Sequence, residues 1–269
     1  MTTVENEQQA SAEPAVGSYV YGVVAAGARI PEDLEPVPGR GVETGLGLVT
    51  HDRVAAVVSD VPTDRALGTR KDLMAHESVL NAIARETTVL PMRFGAVVAD
   101  DDAVADELLG PHQDYFVRAL EQMDGHTEFR LRGDYQQDIV LAEIVESDPQ
   151  IARLRDAVAG VDEDAAYYDR IKLGEAISHA FDGLRADDAQ AAVDALSGYA
   201  VATEVKEAGG ENGAVHLAFL IRTDHRSDFE RAVDDLGDRW SGRIDLRLIG
   251  PTAAFDFLPA FDVPEQDQG

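Results

Sequence analysis

Apolar residues recur in this chain at two spacings, and the switches between them predict the order of its elements. Tyr19, Tyr21, Val23 and Ala25 alternate with smaller residues and predict a buried strand. Residues 46–50 and 54–59 flank the polar turn His51-Asp52-Arg53 and predict a hairpin. Thr69 followed by Asp72 predicts a capping box, opening a helix with Leu73, His76, Val79, Leu80 and Ile83 on one face. A strand is expected over 89–94, with Leu90, Met92 and Phe94 on one side and Pro91 marking an incomplete or edge ladder. Helices are expected over 102–109 and 111–123, the second striped by Tyr115, Phe116, Ala119, Leu120 and Met123. Phe129 and Leu131 then alternate with charged residues in a strand that closes the first half.

The second half predicts a strand over 139–145, a helix from Pro149, and a long helix over 165–196. Strands over 199–206 and 214–222 follow, joined by the glycine-rich turn 209–213. Ser227 with Glu230 predicts a second capping box, before a helix burying Phe229, Val233 and Leu236. Ile244, Leu246 and Leu248 end the series in a strand. This order, β-α-β-β-α-β, is the ferredoxin-like split unit. The expected fold class is α+β with two domains. A disordered lead-in takes residues 1–17, an N-terminal modified α+β sandwich 18–135, a ferredoxin-like domain 136–250, and an aromatic tail 251–269. Phe255, Phe257 and Phe261 lie in that tail, broken by Pro259. They are expected either to pack across the domains or to form a docking peptide.

Charge changes the picture most. The 51 acidic residues outnumber 23 basic ones, a formal net charge of −28, and the acids are spread along the whole chain. Such a surface repels itself, which molar salt relieves by shortening the Debye length to about 3 Å. A halophilic cytosol is therefore expected. Nucleic acid is excluded as a partner, because its phosphates need clustered cations. No apolar stretch is long enough to span a bilayer, and the first 17 residues lack the pattern of a signal peptide. The chain has no cysteine, which removes disulfides, thiolate metal sites and cysteine nucleophiles.

The motifs that carry chemistry each fail on a required residue. His76-Glu77 begins like a zinc-protease helix, but Leu80 stands where the second histidine belongs. Gly39, Gly41 and Gly45 are misspaced for a dinucleotide loop, and Ala28-Arg29 replaces the lysine and hydroxyl residue a phosphate loop needs after Gly22 and Gly27. Asp100-Asp101-Asp102 lacks the ligand spacing of a calcium loop and instead suits the open amides of the next helix. No G-x-S-x-G elbow occurs, and the remaining histidines show no pairing. No catalytic, metal or cofactor-binding residue is assigned.

Three segments together resemble the gas vesicle protein F/L family. They are Tyr19-Val20-Tyr21-Gly22-Val23-Val24, then His76-Glu77-Ser78-Val79-Leu80 with Val89-Leu90-Pro91-Met92-Arg93-Phe94-Gly95, and finally Leu248-Ile249-Gly250-Pro251 leading to Phe255-Asp256-Phe257. The length and charge favour the longer, L-type member from a haloarchaeon. The resemblance implies two α+β domains with a C-terminal tail and an accessory role in gas vesicle formation, in the cytoplasm and associated with the vesicles. It implies binding to the hydrophobic shell protein and to other accessory proteins, without enzymatic activity or cofactor. Here Ala253, Ala254 and Phe255 replace the family's usual Pro-Pro-Tyr, which removes a stiff turn and a tyrosine hydroxyl. The candidate partner interface is Arg93, Phe94, Phe255, Phe257 and Phe261. Arg93 is expected either to pair with a carboxylate or to meet a partner. The alternatives are a minor structural component of the vesicle wall and a small-molecule enzyme on a ferredoxin-like scaffold.

Overall fold

The computed structural model describes residues 16–31, 34–37, 45–63, 66–162 and 164–260. These form two compact units, which divide between Gln122 and Met123. Most of the lead-in expected over 1–17, and Phe261 with the rest of the tail, lie outside the described residues.

In the first unit, strand β1 (Val16–Ala25) is buried from Gly17 to Val24 and forms the spine of an antiparallel sheet ordered β2-β3-β1-β4. The hairpin is present as β2 (Gly47–His51) and β3 (Val54–Pro62), turning at Asp52 with φ 47°. Helix α1 (Arg70–Ala84) opens on the expected capping box: the Asp72 amide donates to Thr69 Oγ1 at 3.2 Å and the Thr69 amide to Asp72 Oδ2 at 3.1 Å. His76, Val79, Leu80 and Ile83 are buried along its inner face. The strand expected over 89–94 stops at Pro91. Strands β4 (Val89–Pro91) and β5 (Val97–Val98) pair with the same edge of β1, and the turn between them carries Arg93, Phe94 and Gly95. Proline offers no N–H to continue the ladder, and Gly95 takes φ 88°, where a side chain is strained. Arg93 is therefore in a turn, not across a strand from Leu90 and Met92. Asp100 caps the next helical run as expected, accepting from the Ala103 amide at 2.8 Å. That run comprises α2 (Asp101–Ala103), a π-helical stretch Val104–Leu109 and α3 (Gly110–Met123).

In the second unit, four antiparallel strands are ordered β7-β8-β6-β9. Strand β6 (His126–Tyr135) is central and pairs with β8 (Gly213–Arg222) and β9 (Ile244–Thr252). The domain boundary expected at 135 is thus displaced, because the strand assigned to close the first half pairs only within the second sheet. The strand expected over 139–145 is a helix, α4 (Gln137–Ser147). Val140 and Ile144, four apart, are its buried residues, while Ile139 is 55% exposed. Helices α5 (Pro149–Val158) and α6 (Tyr167–Leu196) follow, the former capped by the Asp148 carboxylate. Strand β7 (Ala202–Val205) is shorter than expected. Helix α7 (Arg226–Trp240) buries Phe229, Val233 and Leu236, yet Ser227 lies inside it, so the second capping box does not form. The tail expected from 251 begins inside β9, which continues to Thr252.

Odd-numbered residues of β6 point into the core. Phe129 and Leu131 pack with Leu217, Phe219, Ile221 and the inner sides of α6 and α7. Tyr135 joins a second cluster with Val140, Ile144 and Ile151. Its hydroxyl donates to Asp188 at 2.7 Å, and Arg243 bridges Asp188 at 2.8 Å and Glu143 at 2.7 Å. Burial and the adjacent Asp188 carboxylate push the Tyr135 pKa up. This network fastens α4 and α6 to the sheet.

Candidate partner interface

In the first unit, the turn bearing Phe94 is anchored from β1. Tyr19, fully buried, accepts from the Gly95 amide at 3.2 Å through its hydroxyl and shares a 2.8 Å hydrogen bond with His76 Nδ1. The Met92 amide donates to the Tyr21 carbonyl at 2.8 Å, and the Val20 amide to the Ala96 carbonyl at 2.9 Å. The Phe94 ring stands edge-on to Tyr19 and His76, with centroids 6.4 and 5.7 Å away, and Tyr21 stacks on His76 at 5.8 Å. Burial holds the His76 pKa below its ordinary value and pushes Tyr19 up to about 12. A neutral imidazole beside a protonated phenol fits Tyr19 donating to Nδ1, which places the ring proton on Nε2. Among the described residues Nε2 has no partner within hydrogen-bond geometry, although the nearby Met92 backbone favours the charged ring. Phe94 is half-buried as part of this aromatic packing. Arg93 is exposed and has no ion pair among the described residues, so the carboxylate partner expected for it is absent.

In the second unit, the segment after β9 is tied down by charge. Glu128 on β6 is fully buried, and its carboxylate accepts from the Asp256 amide at 2.8 Å. Arg130 Nε donates to Glu128 at 2.8 Å and to Asp256 at 3.2 Å, and the guanidinium lies 5.2 Å from the Phe255 ring centre. Lys206 adds bonds to Asp256 at 2.9 Å and Glu204 at 3.1 Å. Thr252 Oγ1 donates to the Glu128 carbonyl at 3.2 Å. Ala253 and Ala254, where the family pattern has prolines, are buried. Phe255 is therefore held by Arg130 within the second unit, and Phe257 lies half-buried two residues on. The structure does not gather Arg93, Phe94, Phe255 and Phe257 into one surface within either unit.

Glu128, Arg130 and Lys206 were not singled out by the sequence, and Asp256 entered only as the middle residue of Phe255-Asp256-Phe257. In an acidic chain a carboxylate at a strand position is read as solvated, and only contact with Asp256, 128 residues away, distinguishes this one.

Burial pushes Glu128 up to about 7, against the opposing pull of Arg130, while Lys206 and Arg130 hold Asp256 below its ordinary value despite partial burial. The raised Glu128 pKa fixes the sign of a pH effect. Between pH 4.5, the ordinary value, and about 7, the folded unit binds the extra proton, so this residue's contribution to stability is full at low pH and is lost as pH rises through 7. Glu128→Gln keeps an acceptor and removes the titration. Its stability relative to the unmutated chain should rise between pH 5 and 8, by at most about 3 kcal/mol. Urea midpoints at several pH values measure this; a difference that stays flat would mean Glu128 remains ionised throughout.

No group of three or more His, Asp or Glu among the described residues is placed to hold a metal ion, and no described helix is long and apolar enough to cross a membrane. The buried polar side chains in both units brace one chain segment against another. This defines an α+β protein of two units, each with an antiparallel sheet. The model of the family described as gas vesicle synthesis protein GvpL/GvpF matches residues 17–259, and the chain belongs to that family. Gas vesicle protein F of a Streptomyces species is 30% identical over 250 residues, covering 90% of this chain and 100% of the relative. Gas vesicle protein L of the same genus is 32% identical, but over 42% of this chain and 46% of its own length. The crystal structure of gas vesicle protein GvpF from Anabaena superposes with a TM-score of 0.72 at 22% identity, covering 91% of this chain and 99% of that one. The expected L-type, haloarchaeal assignment finds no confirmation in these matches. Length could not decide it, since an F protein is matched here along its entire length.

Proposed function

We propose that this chain is an accessory protein of gas vesicle assembly that works by presenting surfaces to the hydrophobic shell protein and to other accessory proteins. The observation that carries the reading is membership of the gas vesicle family along residues 17–259. Its physical logic is that an apolar shell subunit must be kept from aggregating until it joins the wall. A partner with net charge −28 keeps a complex dispersed while an apolar surface is covered. Arg93, outward on a turn braced by Tyr19, and the half-buried Phe94 behind it offer one contact. Phe255 and Phe257 offer a second. The spread of acids favours a cytoplasm rich in salt as the setting.

Within this reading the second unit is ferredoxin-like. Support comes from the strand order β7-β8-β6-β9 and from the element order β6, three helices α4 to α6, β7, β8, α7, β9, in which three helices fill the place of the first crossover helix. An F-type assignment is favoured over an L-type one by the near-complete coverage of the F relatives.

Deleting the gene in a vesicle-forming host tests the reading. Vesicles should be lost or misshapen and return when the gene is restored. Normal vesicle number and shape after deletion would remove the assembly role. Co-purification with tagged shell protein in molar salt tests the partner, and its repeated failure would remove that contact alone.

A further inference from the structure

The face of the second sheet opposite its helices carries cations that the chain's many acids leave alone. Alternation along β6 puts Glu128, Arg130, Arg132 and Asp134 on this face, with His216, Ala218 and Leu220 of β8 on one side and Asp245, Arg247 and Ile249 of β9 on the other. Glu128 and Arg130 are occupied by Asp256. Arg132 and Arg247 are not. They stand directly opposite each other across the β6–β9 pair, both exposed, and neither guanidinium has an ion pair or hydrogen bond among the described residues. Like charges facing each other across antiparallel strands destabilise the pair. The chain tolerates this with 51 carboxylates available elsewhere. His216, the β8 neighbour of Arg132 in the same row, has its pKa held below the ordinary value by partial burial and by Arg132 and Arg130, against the pull of the Glu207 carbonyl and Asp256. A cleft of about 390 Å³ opens beside this row, lined by Arg132, Asp134, His216, Glu207, Gly209 and Gly213.

The next row has the opposite sign. Asp134 and Asp245 face each other two residues along, Asp245 receiving a hydrogen bond from Gln136. A long acidic run laid across both rows would meet these carboxylates. An extended chain repeats its side chains on one face every second residue, so an acidic residue over the arginines puts its i+2 neighbour over the aspartates.

We infer that this face docks an extended segment of a partner protein that carries an acidic side chain over Arg132 and Arg247 and a basic one two residues away, over Asp134 and Asp245. This deepens the assembly reading and depends on it only for which protein supplies the segment. Binding by the purified chain is independent of vesicle formation, so either can fail without the other.

The test is fluorescence anisotropy on the full chain with a labelled short peptide containing Glu-Val-Lys between neutral residues, at low and at molar salt. The Glu-Val-Lys peptide should bind at low salt despite the net charge of −28, while Gln-Val-Gln and Glu-Val-Glu peptides bind more weakly. Arg247→Glu and Arg132→Glu should each weaken binding about tenfold or more. Because Arg247→Glu turns a repulsive cross-strand pair into an attractive one, its melting temperature should hold or rise. Arg247→Gln serves as a second variant that keeps the fold without a new charge, and it should also weaken binding. No binding of Glu-Val-Lys at low salt would overturn the proposal, as would binding that survives both glutamate substitutions. Equal displacement by millimolar inorganic phosphate would identify a small-anion site and overturn it too.

Discussion

Arg130→Met will lower the melting temperature of the second unit by about 6–12 °C at pH 8, from a loss of about 3 kcal/mol. The residue is the cation for two carboxylates, Glu128 at 2.8 Å and Asp256 at 3.2 Å, one of which has no exposed surface. A methionine fills similar space and leaves Glu128 buried without a counter-charge, the circumstance in which breaking a pair costs most. Lys206 still serves Asp256, so the loss falls chiefly on Glu128. The pKa of Glu128 is already pushed up to about 7, so the variant can escape part of the penalty by taking up a proton. The loss should therefore shrink at pH 5.5, where Glu128 is protonated in both proteins. Glu128→Gln combined with Arg130→Met should recover most of the stability at pH 8. A loss of equal size at both pH values, unrelieved in the double variant, would show that Arg130 acts through packing against Phe255 instead of through charge. Release of the segment around Asp256 should accompany the loss, seen as faster amide exchange at residues 253–259.

What could be read from the residues alone follows the range of the forces involved. The capping box at Thr69 and Asp72 and the Asp100 cap were legible because both partners sit within three residues. The face of α1 was legible from His76 to Ile83, where the apolar spacing is regular over two turns, but Leu73, expected on the same face, is 42% exposed. Helix α4 was not. Ile139, Val140, Ile144 and Val145 are β-branched and favour a strand, but tertiary packing buries Val140 and Ile144 together and leaves Ile139 in solvent. The strand around Phe129 was visible from alternation, yet its sheet depends on partners about 90 and 120 residues later in the chain. The same limit hid the support for the candidate site. Arg93 and Phe94 were found through a local motif. That the motif is a turn between two short strands, with Tyr19 holding Gly95, required a contact across 76 residues. Arg132 and Arg247 escaped notice for the same reason, since each looks like an ordinary exposed strand residue until they are placed opposite each other.

Gly250→Ala will destabilise the second unit by about 3 kcal/mol or more, and the reason explains why a glycine stands at this point of the Leu248-Ile249-Gly250-Pro251 segment. Gly250 has φ 153°, a region that residues with a side chain rarely adopt, and a Cβ placed there would run into the Phe129 ring. Backbone strain of this kind costs about 1–3 kcal/mol, and overpacking a closed core adds about 1–3 more. Phe129 cannot yield, because it is fully buried and packs on Phe229 at 5.4 Å, within the cluster formed by β6, β8, α6 and α7. The strand register also shifts here: Arg130 faces Ile249 but Glu128 faces Thr252, so β9 holds one more residue than β6. That extra residue brings Thr252 under the Glu128 carbonyl and starts the segment that Glu128 and Arg130 hold. The two components can be separated. Phe129→Ala alone costs about 3–5 kcal/mol through the cavity it leaves. In that background Gly250→Ala should cost only the backbone share, about 1–3 kcal/mol, so the double variant is more stable than the sum of the two losses predicts. Strict additivity in denaturant midpoints would sink the steric account and leave conformational strain at Gly250 as the whole effect.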